Sequence, residues 1–268
     1  MNIYKTTLLA LMYISCISYP LYPQEKIKDF YLSNLNEQGS CDWEVKGDEA
    51  LISNEHVDIK EMDAKYYTEK DTIKVTSKKA KLNKENMDVH LQDDVQIENA
   101  EGMTLITDSL DWKQKNNSIA TEDPVEINND SMYIKAKGMQ ADTALKNVDF
   151  KEDIEVRVPD KENKDFTTIT CKGPLEIEYS TGTAVFYKDV IVENEQATLF
   201  SDKTTMFFDT QLKKIIKIVS EGNVKIVKDE NVTFSEKATY WNEQERIVLE
   251  GRPRLIYFSK KGEKAGRP

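Results

Sequence analysis

Apolar and polar residues alternate along most of this chain. Between about residue 43 and residue 257 the apolar positions recur at every second place: Val89, Leu91, Val95 and Ile97; Leu175, Ile177 and Tyr179; Phe186, Val190 and Val192; Ile216, Ile218, Val224 and Ile226; Ile247, Leu249, Leu255 and Tyr257. A period of two sends successive side chains to opposite faces of a β-strand, so each run predicts a strand with one buried face. Helical spacing is nearly absent, with residues 33–36 the one weak candidate outside the N-terminal segment.

The alternation breaks on a longer rhythm. "QDDVQIE", "EDPVEIN", "KEDIEVR", "YKDVIVE" and "EGNVKIV" each place polar or turn-forming residues before two β-branched residues spaced two apart. The first β-branched residues are Val95, Val125, Ile154, Val190 and Val224, with steps of 30, 29, 36 and 34. "EGRPRLI" extends the series, with Pro253 standing 29 residues beyond Val224. A period near thirty predicts stacked supersecondary units. The residue before each repeated position is Asp94, Pro124, Asp153, Asp189 or Asn223, types that interrupt a ladder or favour a turn. Each phrase therefore predicts a bend in a long strand, and a stack of bent strands predicts two sheets facing one another. Between the bends the units read strand, short polar turn, strand, and Asp111, Asp142 and Asp209 read as turn formers.

Composition narrows the function classes. The chain has 268 residues, a net charge of −11 and a pI near 4.9, and no long basic run, which argues against a nucleic-acid partner. No G-x-S-x-G, H-E-x-x-H, Walker A or G-x-G-x-x-G motif occurs, and the two histidines, His56 and His90, stand in polar strand-like contexts. The sequence points to no enzyme, no metal and no cofactor. With 48 acidic residues, some carboxylate pair at glycosidase spacing is expected by chance and carries no weight.

Residues 1–23 carry one Lys and an apolar stretch centred on residues 8–17, the layout of a secretory signal or a membrane anchor. A lipidated Cys16 is a weaker reading, because the preceding residues lack the usual Leu. On each reading the remainder is exported. Cys41 and Cys171 lie outside any C-x-x-C, and two separate thiols are favoured over a bridge.

The residues resemble a known family. Phe30, Gly39, Trp43, Val45, Gly47 and Ala50 in "IKDFYLSNLNEQGSCDWEVKGDEALI" match the opening of the LptC family of lipopolysaccharide-export proteins. "LQDDVQIENAEGMTLITDSLDW" and "IATEDPVEI" continue the match through Val95, Gly102, Leu105, Thr107, Asp108, Leu110, Trp112, Thr121, Pro124 and Val125. From Gly173 onward, "GPLEIEYSTGTAVFYKDVIV" and "ATYWNEQERIVLEGRPRL" are similar to the LptA/OstA-like repeat, ending on Ala238, Tyr240, Ile247, Leu249, Gly251 and Pro253. The chain departs from a usual LptC protein by adding about a hundred residues to one domain.

The resemblance implies an all-β fold, a twisted two-sheet open β-jellyroll of stacked antiparallel strands. The expected organisation is a signal or anchor over 1–23, an LptC-like jellyroll over 24–158, a loop over 159–166, LptA/OstA-like repeats over 167–258 and a disordered tail over 259–268. It implies non-enzymatic transport in the periplasm, anchored in the inner membrane if residues 1–23 are retained. The acyl chains of lipid A would be carried in an apolar groove. The inward residues expected to line it are Val95, Ile97, Val125, Ile127, Phe186, Val190, Ile218, Val224 and Leu249, although alternation alone does not separate a groove from a core. The implied partners are lipopolysaccharide, the inner-membrane ABC exporter, and a periplasmic bridge protein or outer-membrane translocon joined by edge-strand pairing. Asn231, Thr233 and Thr239 near the last strands read as solvent-facing. An extracellular structural or adhesive β-stack, and a β-solenoid enzyme acting on polysaccharide, are the alternative readings.

Overall fold

The computed structural model describes residues 25–35, 39–68, 72–129, 132–143, 146–159, 166–209 and 214–258. The expected leader, most of the 159–166 loop and the expected tail lie outside the described residues. Within them the chain is all-β, with no helix. The strands are β1 (Glu25–Leu35), β2 (Cys41–Ile52), β3 (His56–Tyr67), β4 (Thr72–Asn83), β5 (Val89–Glu98), β6 (Thr104–Lys113), β7 (Ser118–Asn129), β8 (Met132–Asp142) and β9 (Asn147–Pro159). They continue as β10 (Phe166–Cys171), β11 (Leu175–Glu178), β12 (Thr183–Glu193), β13 (Thr198–Asp209), β14 (Lys214–Lys228), β15 (Asn231–Trp241), β16 (Arg246–Glu250) and β17 (Arg254–Ile256).

The topology is an antiparallel meander. From β1 to β9, and again from β12 to β15, each strand pairs with the next in sequence. β10 and β11 are two halves of one rung, since both pair with β9 on one side and β12 on the other. β16 and β17 are likewise two halves of one rung against β15. Among the described residues seventeen strands, less these two splits, give fifteen rungs. The thirty-residue period is thus one pair of rungs.

The bends fall where the repeated phrases predict. Asp93 and Asp94 in β5, Asp153 in β9, Lys188 and Asp189 in β12, and Gly222 and Asn223 in β14 have φ between +47° and +78°. Asp and Asn tolerate the left-handed region better than most L-residues do, which explains their choice. The ladders record the insertion. In β5 the pairing jumps from Gln92↔Ser109 to Val95↔Thr107, two residues against one. β7 makes the same shift between Thr121 and Pro124, and there the left-handed residue is Gly138 on the facing strand. Asp29, Glu61 and Arg252 carry the pattern into β3 and both terminal rungs. The bends therefore align across the odd rungs, from one edge to the other, as a single fold line.

Each strand's two halves face each other across this line and share one core. Leu91 and Val95 flank the β5 bend, and Phe150 and Ile154 flank that of β9; all four belong to a cluster running from Met62 to Met206. At the centre Met139, Leu175, Ile169 and Phe186 are fully buried. Burying a side chain of that size stabilises by roughly 1.5–3 kcal/mol. The two ends are less covered, with exposed Ile27, Tyr31, Leu32 and Leu35 on β1 and exposed Ile247, Leu255 and Ile256 on the last rung.

Candidate functional site

The inward face can be followed residue by residue through the registers. Starting at β1, directly opposed residues run Leu32, Val45, Ala64, Val75, Ile97, Leu105, Ile127 and Ile134. The row continues through Val156, Ile169, Val192, Leu199, Ile226, Thr233 and Leu255. It crosses all fifteen rungs and is apolar at fourteen of them. A second row in the other half-sheet ends in Met139, Phe150, Leu175, Phe186, Thr204, Ser220, Ala238 and Leu249. A third passes through Ala184, Met206, Ile218, Tyr240 and Ile247. Leu32 and Leu255, the ends of the first row, are 53% and 63% exposed. An apolar interior therefore runs from edge to edge and opens at both.

The nine residues singled out from the sequence fall at different depths. Val95, Val125, Val190 and Val224 sit beside the fold line and are at most 1% exposed. Ile97 and Ile127 belong to the first row, Phe186 and Leu249 to the second, and Ile218 to the third. Phe186 and Ile127 are buried, while Ile97, Ile218 and Leu249 are half-buried.

The interior also holds hydroxyls that alternation did not reveal. Ser201 and Thr204, where β13 crosses the fold line, and Ser220, beside the β14 bend, are buried, with Ser201 Oγ 2.9 Å from Thr204 Oγ1 and Thr204 Oγ1 2.9 Å from Ser220 Oγ. In the N-terminal half Thr107 Oγ1 donates to the Pro124 carbonyl at 3.0 Å, and Thr121 Oγ1 accepts from the Asp123 amide at 3.0 Å. Where a bulge interrupts a ladder, backbone groups lose their partners, and a short hydroxyl side chain replaces one. A parity reading takes these positions for gaps in the apolar pattern.

Thr239 departs from expectation. It lies on the outer face yet is buried, because Val219 and Val248 stand directly opposite on either side; Thr233 is half-buried within the first row, and Asn231 is half-buried beside the turn. Asp142 acts as a turn former, accepting the amides of Lys146 and Asn147. Asp111 instead meets His90 Nδ1 at 2.9 Å, and His56 Nε2 meets Asp58 at 3.1 Å. Both histidines line one shallow cleft with Lys81, Lys113 and Asp88. Among the described residues no group of three His, Cys, Asp or Glu side chains is arranged to hold a metal ion. Cys41 and Cys171 are free, and burial pushes the Cys171 thiol up. No helix among the described residues is long and apolar enough to cross a membrane.

Comparison with known proteins covers both halves. A family model described as lipopolysaccharide-assembly, LptC-related, matches residues 20–170. A second, described as LptA/(LptD N-terminal domain) LPS transport protein, matches residues 173–265. The junction falls at the break between β10 and β11, inside a single rung. No curated protein matches the chain.

Proposed function

This chain belongs to the LptC-related lipopolysaccharide-assembly family, whose role is lipopolysaccharide transport, and on that premise we propose that its apolar interior carries lipid A acyl chains between two partners. The observation that carries the reading is the row from Leu32 to Leu255, apolar at fourteen of fifteen rungs and exposed at both ends. An acyl chain loses about 0.8 kcal/mol for each methylene returned to water, so a carrier needs apolar surface without a gap. The acyl chains lie along the half-buried side of the rows, at Ile97, Ile218 and Leu249, since the fold line itself is filled by Val95, Val125, Val190 and Val224.

The family consists of transport proteins rather than enzymes, and its bridge domains work in the periplasm. In the proposed arrangement residues 1–23 direct or tether the chain to the inner membrane. The β1 edge receives lipid from the ABC exporter, and the last rung passes it to a periplasmic bridge protein or the outer-membrane translocon. Among the described residues both edges offer unpaired backbone groups for strand addition, because there β1 pairs only with β2 and the last rung only with β15.

Photo-crosslinking in cells tests the interior. Crosslinkers at Ile97, Ile127, Phe186, Ile218 and Leu249 are expected to capture lipopolysaccharide, and those at Glu126 and Lys225 on the outer parity are not. Equal labelling of both parities would sink the proposal.

A further inference from the structure

The outer face of the C-terminal end carries two rows of a different kind. One runs Phe207, Lys217, Trp241, Arg246 across β13 to β16, each residue directly opposite the next. The other runs Phe200, Lys225, Phe234, Arg254 across β13, β14, β15 and β17. Lys217 Nζ lies 4.3 Å from the Phe207 ring centroid and 5.1 Å from that of Trp241. Lys225 Nζ lies 5.2 Å from the Phe200 centroid, and the Arg254 guanidinium 4.9 Å from that of Phe234. These are cation–π distances.

Both rows alternate ring and cation, and both stop on a cation at the open edge. Lys217 and Lys225 each have a ring opposite them on both neighbouring strands, whereas Arg246 and Arg254 have one on β15 and, among the described residues, no strand on the other side. Both arginines are exposed, and among the described residues neither forms an ion pair. Single cross-strand contacts of this kind also occur at Tyr133–Arg157 and Tyr187–Lys203, but these two rows carry the alternation to the open edge, in a chain with 48 acidic residues. A planar guanidinium with one face on a ring can take a second ring on its other side.

We propose that the strand completing the C-terminal edge comes from a partner protein that places one aromatic ring beside Arg246 and a second beside Arg254, both on the outer face. The inference rests on the edge-pairing reading above and gives that partner a recognisable sequence. β15 already presents the required pattern to the same two arginines, through Phe234 and Trp241 on either side of Glu236, the single residue facing the β14 bulge. A strand with two aromatic residues about seven positions apart, flanking a bend, fits the edge.

The probe is a fluorescent peptide with the β15 sequence, residues 231–241, and its Phe234→Thr/Trp241→Thr form, titrated against the full-length chain. The aromatic peptide is expected to bind about tenfold more tightly, the yield of two cation–π contacts. On the Arg246→Ala/Arg254→Ala protein the two peptides are expected to bind alike. A ring preference that survives loss of both arginines, or equal binding by the unaltered protein, overturns the inference. So does failure of both peptides to bind. A chain lacking residues 246–258 separates the two levels of the argument. If it binds neither peptide while the full chain binds both equally, edge pairing stands and the aromatic rule falls. If it binds as the full chain does, edge pairing itself falls.

Discussion

The Thr204 hydroxyl lies 2.9 Å from that of Ser220, and neither side chain is more than 1% exposed. Ser201 closes the chain of hydroxyls from the other side at 2.9 Å. Thr204→Val keeps the volume and removes both bonds, leaving two hydroxyls without that partner in the interior. The expected loss is about 2 kcal/mol, read from the urea midpoint, while Thr204→Ser should lose less than half as much.

Gly173 marks the split between β10 and β11. Its φ is +97°, and a Cβ there would stand 2.1 Å from the Lys151 carbonyl oxygen. Gly173→Ala should cost more than about 2 kcal/mol, combining backbone strain with displacement of β9. Gly102, at φ +81° with nothing within 4 Å of the added carbon, provides the comparison. Gly102→Ala carries strain alone and should cost about 1 kcal/mol.

Alkylation should distinguish the two described thiols. Cys41 is half-exposed, while Cys171 is buried and its pKa is raised by that burial, so less of it is thiolate at a given pH. Iodoacetamide at mildly alkaline pH should label Cys41 first and reach Cys171 only on unfolding, as peptide mapping by mass spectrometry will record. Early labelling of Cys171 would mean that the interior opens at β10.

Acid should loosen the N-terminal edge. Lys26, at 2.6 Å, and Lys60, at 3.1 Å, hold the Glu49 carboxyl below the usual carboxylate range. Lys65 chiefly, then the Tyr31 hydroxyl at 2.8 Å, does the same for Glu44. A carboxyl depressed in the folded state contributes stability above its unfolded pKa, and that stability is lost as pH falls through the folded value. These pairs tie β1 to β2 and β2 to β3 at the surface, so the effect is modest and salt-screened. Amide exchange in β1, corrected for intrinsic rate, should rise relative to β7 between pH 7 and about pH 3. A constant ratio would mean that apolar contacts alone hold β1.

The bends were legible because they are written in residue types. Asp94, Asp153, Asp189 and Asn223 sit where a parity break meets a side chain tolerant of positive φ, and all four take that conformation. Glu61 and Arg252 take it too, but Glu and Arg carry no such mark. The direction in which Ile97, Ile127 and Phe186 point follows from alternation. That Leu32 and Leu255 end one row does not, since the register across fourteen ladders is shifted by bulges in β5, β7, β9, β12, β14 and the last rung. The aromatic rows were hidden for the same reason: Phe207, Lys217, Trp241 and Arg246 become neighbours only when three ladders are aligned.

Because the rungs number fifteen and all neighbours are antiparallel, β1 and the last rung run in the same direction. The thirty-residue unit is two rungs, so inserting or deleting one whole unit changes the reach of the stack without reversing its final strand or exchanging its inner and outer faces. A single added rung would reverse that strand and present a new neighbour with the opposite polarity. Length can thus vary in steps of one hairpin while the end of the molecule keeps the same grammar, so one partner can serve stacks of different lengths.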